Sequence, residues 1–534
     1  MQPASVPPVP TPPGATHGAT HGTPSGAPGG PAPTPPLADR LRWLRAFRDG
    51  LKRHHPTLCA LASEEVGKTP FEAMVADILP LLASCRWHLR RAPAVLRPRR
   101  VRGGGILGLG TRVERHRVAA GRVLVIATWN YPVQLLGIQL VQALVAGNTV
   151  VVKPSERAPR TQALLLELAT RACDSVPSMR GRIEVRAATR EEGARVLASE
   201  RFDHVVFTGS TAVGRTIAEV CAARLTPSTL ELSGSDSAIV LADADARAAA
   251  RAIFMGVVGN SGQTCMAPRR VLVARAAFPA FSAEFARLFA GSPRRTLVDA
   301  DAARHTLAVA RAAIDAGGSS IAGAIEPCDG RAMRPIAVVD SPVETDLFLG
   351  RHFGPAVAVR VLESADDPIE EALSLHARAG QFLATSIWTR RPSVDLAARA
   401  ERCGSGLVHF NSVLVPSAHP GVSIGGHGAS GWGASRGEAG LVAMTREVFV
   451  TRTSAFMQPP LDEPTAKQQG ILARLLSWPL RGESRPEPVA IPSPEAQESQ
   501  SQRSTADSSA SPQSQQFPTR AGNRPALESA STHA

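Results

Sequence analysis

Apolar positions along the chain change their period several times, and each change marks a different kind of element. Leu41, Leu44, Phe47 and Leu51 recur at helical spacing and open the folded region. Ile78, Leu79, Leu81 and Leu82 repeat that signature. The glycines at 103–105, 108 and 110 interrupt regular structure, and this glycine-rich stretch with residues 111–118 reads as an exposed ribbon or hairpin. From Val123 the pattern becomes short, continuous apolar runs that alternate with helical stretches. Val123-Leu124-Val125-Ile126-Ala127 is a buried strand, 128–132 a turn, and 133–146 a helix closed by Gly147. A strand at 149–152, a helix at 161–172, a strand at 204–208 and a strand at 229–232 follow. A helix at 242–257 precedes a glycine-containing loop, 259–268, and the apolar run Val271-Leu272-Val273. Buried strands alternating with helices imply an α/β fold, a parallel sheet with helices on both faces. Residues 270–408 mix the same elements and read as a second α/β domain. The glycines at 425, 426, 431 and 433 form a crossing before a last strand, Val448-Phe449-Val450.

The two ends lack such patterning. Residues 1–36 are mostly Pro, Ala, Gly and Thr without a single Asp, Glu, Lys or Arg, and are expected to be disordered. Residues 457–534 are expected to be mostly disordered as well. Within them, the apolar-basic segment 471–478 is expected either to dock on the body or to lack order.

Composition narrows the class. At 534 residues the chain exceeds one core, and its 43% hydrophobic content supports more than one domain. The net charge of +13 raises nucleic acid or an anionic surface as partners. The densest basic run, 90–102, carries no nucleic-acid motif and few aromatics, so a solvated surface is expected and nucleic acid is not. Seven scattered cysteines without a CxxC pair argue against a disulfide framework and a structural metal site. No secretory pattern opens the chain, and no apolar stretch reaches the ~20 residues that span a bilayer. A soluble, cytoplasmic protein is expected.

Chemistry concentrates at strand ends, where ligands bind in such sheets. Gly209-Ser210-Thr211-Ala212-Val213-Gly214 is a glycine-bearing strand-to-helix turn able to hold phosphate. Lys153, before Pro154-Ser155-Glu156, either reaches ribose hydroxyls or is a surface lysine. Glu231 interrupts an apolar strand; it is either paired or solvated, or a desolvated general base. Cys265, at the end of Gly262-Gln263-Thr264, is either a small buried hydrophobe or a nucleophile.

Five motifs in order resemble the NAD(P)-dependent aldehyde dehydrogenase superfamily, nearest its class 3 type. They are Ala127-Thr128-Trp129-Asn130-Tyr131-Pro132, Lys153-Pro154-Ser155-Glu156, Phe207-Thr208-Gly209-Ser210-Thr211, Leu230-Glu231-Leu232 and Gly262-Gln263-Thr264-Cys265. The resemblance spans about residues 37–454. It implies a Rossmann-like cofactor-binding domain (37–232, with a bridging hairpin near 102–118) and an α/β catalytic domain (233–408). A return segment with a bridging strand (409–456) completes a homodimer. It further implies NAD or NADP as cofactor and a small aldehyde as substrate. Cys265 would attack the carbonyl, Asn130 would support the oxyanion, and Glu231 would activate water. Lys153, Ser155, Glu156, Gly209, Ser210 and Phe353 would bind the cofactor.

Three departures accompany the likeness. The family's Glu-x-Phe-Gly-Pro is here Arg351-His352-Phe353-Gly354-Pro355, bringing a positive charge toward a cationic nicotinamide. Its Leu-Gly-Gly-Lys-Ser-Pro is Leu232-Ser233-Gly234-Ser235-Asp236-Ser237, and its Pro-Phe-Gly-Gly is Ser423-Ile424-Gly425-Gly426. Ester hydrolysis by the same cysteine, a catalytically weakened family member, and a non-catalytic scaffold stand as alternatives.

Overall fold

The computed structural model describes residues 33–102, 110–364, 366–454 and 465–476. The expectations for 1–32, the glycine-rich stretch 103–109, 455–464 and 477–534 lie outside the described residues. Contact clustering separates Met1–Thr453 from Ser454–Ala534.

The runs expected to be strands build two sheets in the first unit. One has six strands in the order Gly431–Trp432, Ser228–Leu232, His204–Gly209, Arg122–Ile126, Thr149–Lys153, Ile183–Val185. All neighbours are parallel except Gly431–Trp432 against Ser228–Leu232. The second has seven strands, with Pro268–Ala274 between Ala356–Leu362 and Asp236–Val240, and Leu407–Phe410 at one edge. The last five of its six pairings are parallel. The chain is thus α/β, with β-branched residues such as Val123, Val125, Val150 and Val152 buried as parallel strands require.

Helix Gln134–Ala146 is buried at every position and ends on Gly147, whose φ of 104° supplies the left-handed cap. Thr149 begins the next strand two residues later, so the helix returns directly to the sheet. Helix Pro159–Asp174 begins two residues before the expected 161, because a proline at the first turn suits a position with no hydrogen-bonded N–H. Helix Ala246–Val258 begins four residues after the expected 242, where the Asp245 side chain caps the Ala248 N–H.

Arg99–Val101 and Thr111–Ala119 are consecutive antiparallel strands, so the expected ribbon or hairpin is present as a strand pair. Thr111–Ala119 pairs antiparallel over its full length with Thr445–Thr453, and Arg99–Val101 adds a third strand. Two further observations concern the ends. Order begins before residue 37: the Pro33 carbonyl accepts a hydrogen bond from Arg182, and Pro36 precedes a 30-residue helix, Leu37–Val66. The second unit contains the helix Ala466–Leu476, so the segment from 471 belongs to a longer element than the apolar run indicates. Thr465 starts that helix, its N–H and hydroxyl both donating to the Gln468 side chain at 2.8 and 3.0 Å.

Candidate active site

Cys265 is presented by a loop whose backbone is unusual. Asn260, Ser261 and Gly262 have φ values of 51°, 56° and 72°, three consecutive left-handed residues. Serine there stores strain of about 1–3 kcal/mol, which persists only if the surroundings over-determine it. They do. The Asn260 N–H donates to Glu72 Oε1 at 3.2 Å, and its amide donates to the carbonyls of Asn130 and Gln263 at 2.9 and 3.1 Å. Ser261 Oγ donates to Thr296 O at 2.7 Å, and the Val298 N–H donates to Gln263 Oε1 at 2.7 Å. Gly262 leaves no room for a side chain: a Cβ would lie 2.3 Å from the Gly354 carbonyl carbon.

Arg269 ties the loop to the segment carrying Phe353. It is fully buried and donates to Gly262 O (3.1 Å), Thr264 O (3.0 Å) and Gly354 O (3.0 Å). Its guanidinium also lies 5.5 Å from the Phe353 ring, while Phe353 meets Trp129 edge-on at 5.7 Å.

Asn130 and Glu231 reach the same place from two strand ends. The Asn130 amide donates to Gln263 O at 3.1 Å, and its Oδ1 accepts from Thr128 Oγ1 at 3.1 Å, which fixes the amide's orientation. One amide proton is left for a ligand. The Asn130 carbonyl accepts from Lys68 Nζ at 2.9 Å. Glu231 stands opposite Thr208 in the parallel sheet, and Thr208 Oγ1 lies 3.5 Å from its Oε2. Its Oε1 is buried without a hydrogen-bond partner. Burial raises its carboxyl pKa, against the opposing pull of Ser435, Arg436 and Thr208. A buried carboxylate oxygen with no donor is suited to take a proton from water. Cys265 is half-buried. Burial pushes its thiol up to about 11; Arg436 opposes this, while Glu231 and Asp236 add to it.

Asn130, Glu231 and Cys265 line one cavity of about 610 Å³, together with Gly209, Ser210 and Phe353. Lys153, Ser155 and Glu156 do not line it; they lie at the end of the neighbouring strand, Lys153 being in register with Ile126. The Lys153 ammonium sits 3.0 Å from Glu156 Oε2, and Arg190 Nε donates to Glu156 Oε1 at 3.1 Å. Burial works against the Glu156 charge, but its own N–H, Lys153 and Arg190 prevail and hold it at about 2. Ser155 is spent locally: its N–H donates to Gln162 Oε1 at 2.7 Å, and its Oγ accepts from the Arg157 N–H.

The residues present fit a dinucleotide. Ser210 caps helix Thr211–Ala223 through the Val213 N–H, and Ser210, Thr211 and Ala212 line the cavity at that helix's start. A Cβ on Gly209 would fall 2.4 Å from the Phe207 ring, and one on Gly214 would fall 2.4 Å from a Leu232 methyl. Gly214 lets the helix close on the neighbouring strand, while Gly209 leaves room for the Phe207 ring of its own strand; the helix's N-terminal amides remain for phosphate. Lys153 and Glu156 together offer a donor and an acceptor suited to ribose hydroxyls.

The departures from the family pattern acquire physical form here. Arg351 lines the cavity, but its guanidinium pairs with Asp346 at 2.9 Å on an exposed surface, so its charge is balanced sideways. Arg351 thus stands at the cavity with an acidic neighbour beside it. Ser235 and Ser237 accept from buried Arg270 at 2.9 and 3.1 Å, so the changed motif serves as the receptor for an arginine. Asp236 Oδ1 accepts the Ala384 N–H at 2.8 Å, and its Oδ2 has no partner.

Several contributors carried weak signals in the sequence. Lys68 and Asp77 form a buried ion pair of 2.6 Å, and Asp77 Oδ1 accepts the Val133 and Gln134 N–H groups at the next helix's start. The capping pattern Thr69-Pro70-Phe71-Glu72 marks that region, and two arginines inside an apolar strand mark Arg269 and Arg270. Arg436 is buried with φ 60° and donates to Ser417 O at 2.7 Å. Nothing in its surroundings along the chain announces that role.

A half-buried cysteine on a clamped loop, a side-chain amide and a desolvated carboxylate thus line one cavity at the ends of a parallel α/β sheet. Residues 32–450 match the profile of the aldehyde dehydrogenase family. A putative succinate-semialdehyde dehydrogenase [NADP(+)] of Mycolicibacterium smegmatis is 30% identical over 441 residues, 80% of this chain and 83% of that protein. A 4,4'-diapolycopene aldehyde oxidase of Methylomonas sp. is 29% identical over 413 residues, 76% of each chain. Among solved structures, a putative aldehyde dehydrogenase from Burkholderia cenocepacia superposes with a TM-score of 0.73 at 26% identity, covering 80% of this chain and 88% of that one. The chain belongs to the aldehyde dehydrogenase family.

Proposed function

We propose that this protein oxidises an aldehyde to the carboxylic acid with NAD or NADP, using Cys265 as nucleophile, Asn130 as oxyanion donor and Glu231 as base. The observation that carries this reading is the convergence of those three side chains on one cavity of about 610 Å³ beside a phosphate-sized helix N-terminus.

The Cys265 thiolate forms a C–S bond to the aldehyde carbon, and the carbonyl π electrons move to oxygen. The free amide proton of Asn130 stabilises that oxyanion. When bound, the cofactor supplies an acceptor for the hydride that leaves this carbon, so the carbonyl re-forms as a thioester on Cys265. Glu231 then takes a proton from water, whose oxygen adds to the thioester carbon. Collapse releases the acid and restores the thiolate, with one proton remaining on Glu231 for return to solvent. Lys153 and Glu156 would hold the adenosine ribose, Ser155 would shape their turn, and Gly209 and Ser210 would receive the pyrophosphate. Phe353 would pack at the nicotinamide end.

We divide the first unit into a cofactor-binding part over 37–232 and a catalytic part over 233–408, and read the three-stranded sheet as a bridging element of a cytoplasmic homodimer. Among the described residues, no helix is long and apolar enough to cross a membrane.

The test is NAD(P)H formation from a panel of aliphatic and aromatic aldehydes, with Cys265→Ala alongside. Cofactor reduction that the variant abolishes supports the reading. Folded protein that binds cofactor yet reduces none with any aldehyde refutes it. Light scattering at micromolar concentration checks the dimer.

A further inference from the structure

The helical run over residues 70–96 has two unlike faces. Pro70–Ala73, Met74–Ile78 and Leu79–Leu96 join through right-handed helical backbone, so they form one continuous ridge. Its inner face is bolted to the active site through Glu72 on the Asn260 N–H and Asp77 on the helix start at Val133. Its outer face is apolar where it ought to be polar. Phe71 is 71% exposed, Leu79 52%, Val75 39% and Met74 38%. Phe71, Val75 and Leu79 follow at four-residue steps, which places them on one stripe. Leu79 then borders a shallow groove shared with Leu82, Trp87, Arg86, Arg90 and Arg91.

The arginines mark what the stripe faces. Arg171, Arg287 and Arg304, on other helices, each pair with a carboxylate of their own helix. Arg86, Arg90 and Arg91 are exposed, and among the described residues none of them has a carboxylate partner. No Asp or Glu occurs anywhere between Asp77 and Glu114. An apolar stripe continued by three guanidiniums without carboxylate partners is complementary to a surface that is apolar within and anionic at its border. Single exposed apolar residues need no explanation, but three on one stripe with Met74 beside them, adjoining unpaired cations, do.

We propose that the ridge from Phe71 to Arg91 is a docking surface for an anionic lipid bilayer. Phe71, Met74, Val75 and Leu79 enter the boundary between headgroups and acyl chains, and Arg86, Arg90 and Arg91 meet lipid phosphates. The inner-face contacts of the same ridge place the Cys265 loop close to that interface. This surface does not depend on the reaction proposed above.

The full-length protein is sedimented with phosphatidylcholine vesicles and with vesicles containing phosphatidylglycerol at one lipid in three. Binding is expected on the anionic vesicles and weak on the neutral ones. The pair Phe71→Ser and Leu79→Ser, and separately the triple Arg86→Gln, Arg90→Gln and Arg91→Gln, should each lower the partition coefficient about tenfold or more. The triple Arg171→Gln, Arg287→Gln and Arg304→Gln removes equal charge elsewhere and should leave binding within about twofold. Circular dichroism checks that all variants fold. No binding to anionic vesicles, or equal loss in both arginine triples, overturns the proposal. So does a wild-type oligomer that the Phe71 and Leu79 changes dissociate, since the stripe is then an interface between copies of this chain.

Discussion

Lys68 Nζ donates to the backbone carbonyl of Asn130 at 2.9 Å while resting 2.6 Å from Asp77 Oδ2, with both charged side chains fully buried. The proposed oxyanion donor is therefore positioned by an ion pair more than 50 residues away in sequence. Removing one partner of a buried pair strands the other. Lys68→Met should lower stability by about 3–5 kcal/mol, read as a smaller denaturant midpoint. In protein that remains folded, kcat should fall more than KM changes, because Asn130 loses its backbone anchor. Unchanged kcat would detach the ion pair from the site.

The Cys265 thiol is pushed up to about 11 by burial, with Glu231 adding to the rise. Without cofactor, alkylation by iodoacetamide should therefore accelerate steadily from pH 7 to beyond pH 9 without a plateau. Each pH unit should give about a tenfold increase, because the reactive thiolate is a minor species throughout. Glu231→Gln removes a like charge and should shift the profile toward lower pH. A plateau near pH 8 would contradict this.

Asp236 is raised from 3.8 to about 7, chiefly by burial, with one oxygen unpartnered. Its folded pKa exceeds its unfolded value, so the folded state holds the proton more tightly. The stability this gives is complete below pH 4 and is lost as pH rises toward 7. By linkage the span is on the order of 4 kcal/mol. Asp236→Asn should flatten the pH dependence of the unfolding free energy over that window. An identical slope in the variant would place the titration elsewhere.

Arg351 pairs with Asp346 at 2.9 Å on the exposed side of the cavity mouth. Exposed pairs contribute about 0–1 kcal/mol, so Arg351→Gln should leave stability and cofactor affinity nearly unchanged. Arg351→Glu places an acceptor for ribose hydroxyls at this position and should raise the rate of cofactor reduction. Calorimetric titration with NAD and NADP alongside the rates separates binding from turnover; a lower rate with Arg351→Glu would show that Asp346 repels the new carboxylate.

Much of the sheet was legible because its strands are continuous apolar runs and its turns are polar. The expected helix at 133–146 matches Gln134–Ala146 to one residue, since Gly147 supplies an unambiguous stop. Glu231 stood out as a carboxylate inside an apolar strand, whereas Asn130 and the role of Cys265 were legible only through the ordered motifs that carry the family resemblance. The supports of that trio were not legible. Arg269 acts on three carbonyls, two of them in the Cys265 loop and one in Gly354, and pattern periodicity carries no trace of such contacts. The start of helix Ala246–Val258 was misplaced because alanine-rich residues before Asp245 favour helix locally, whereas the Asp245 cap fixes the actual start.

Gly262 and Gly354 touch with no space for even one methyl group between them. The loop that presents Cys265 and the segment that carries Phe353 are therefore mechanically one piece, free of the slack that lets neighbouring loops diversify separately. Any substrate change this scaffold acquires must come from the walls around that junction, because neither side of it can drift alone.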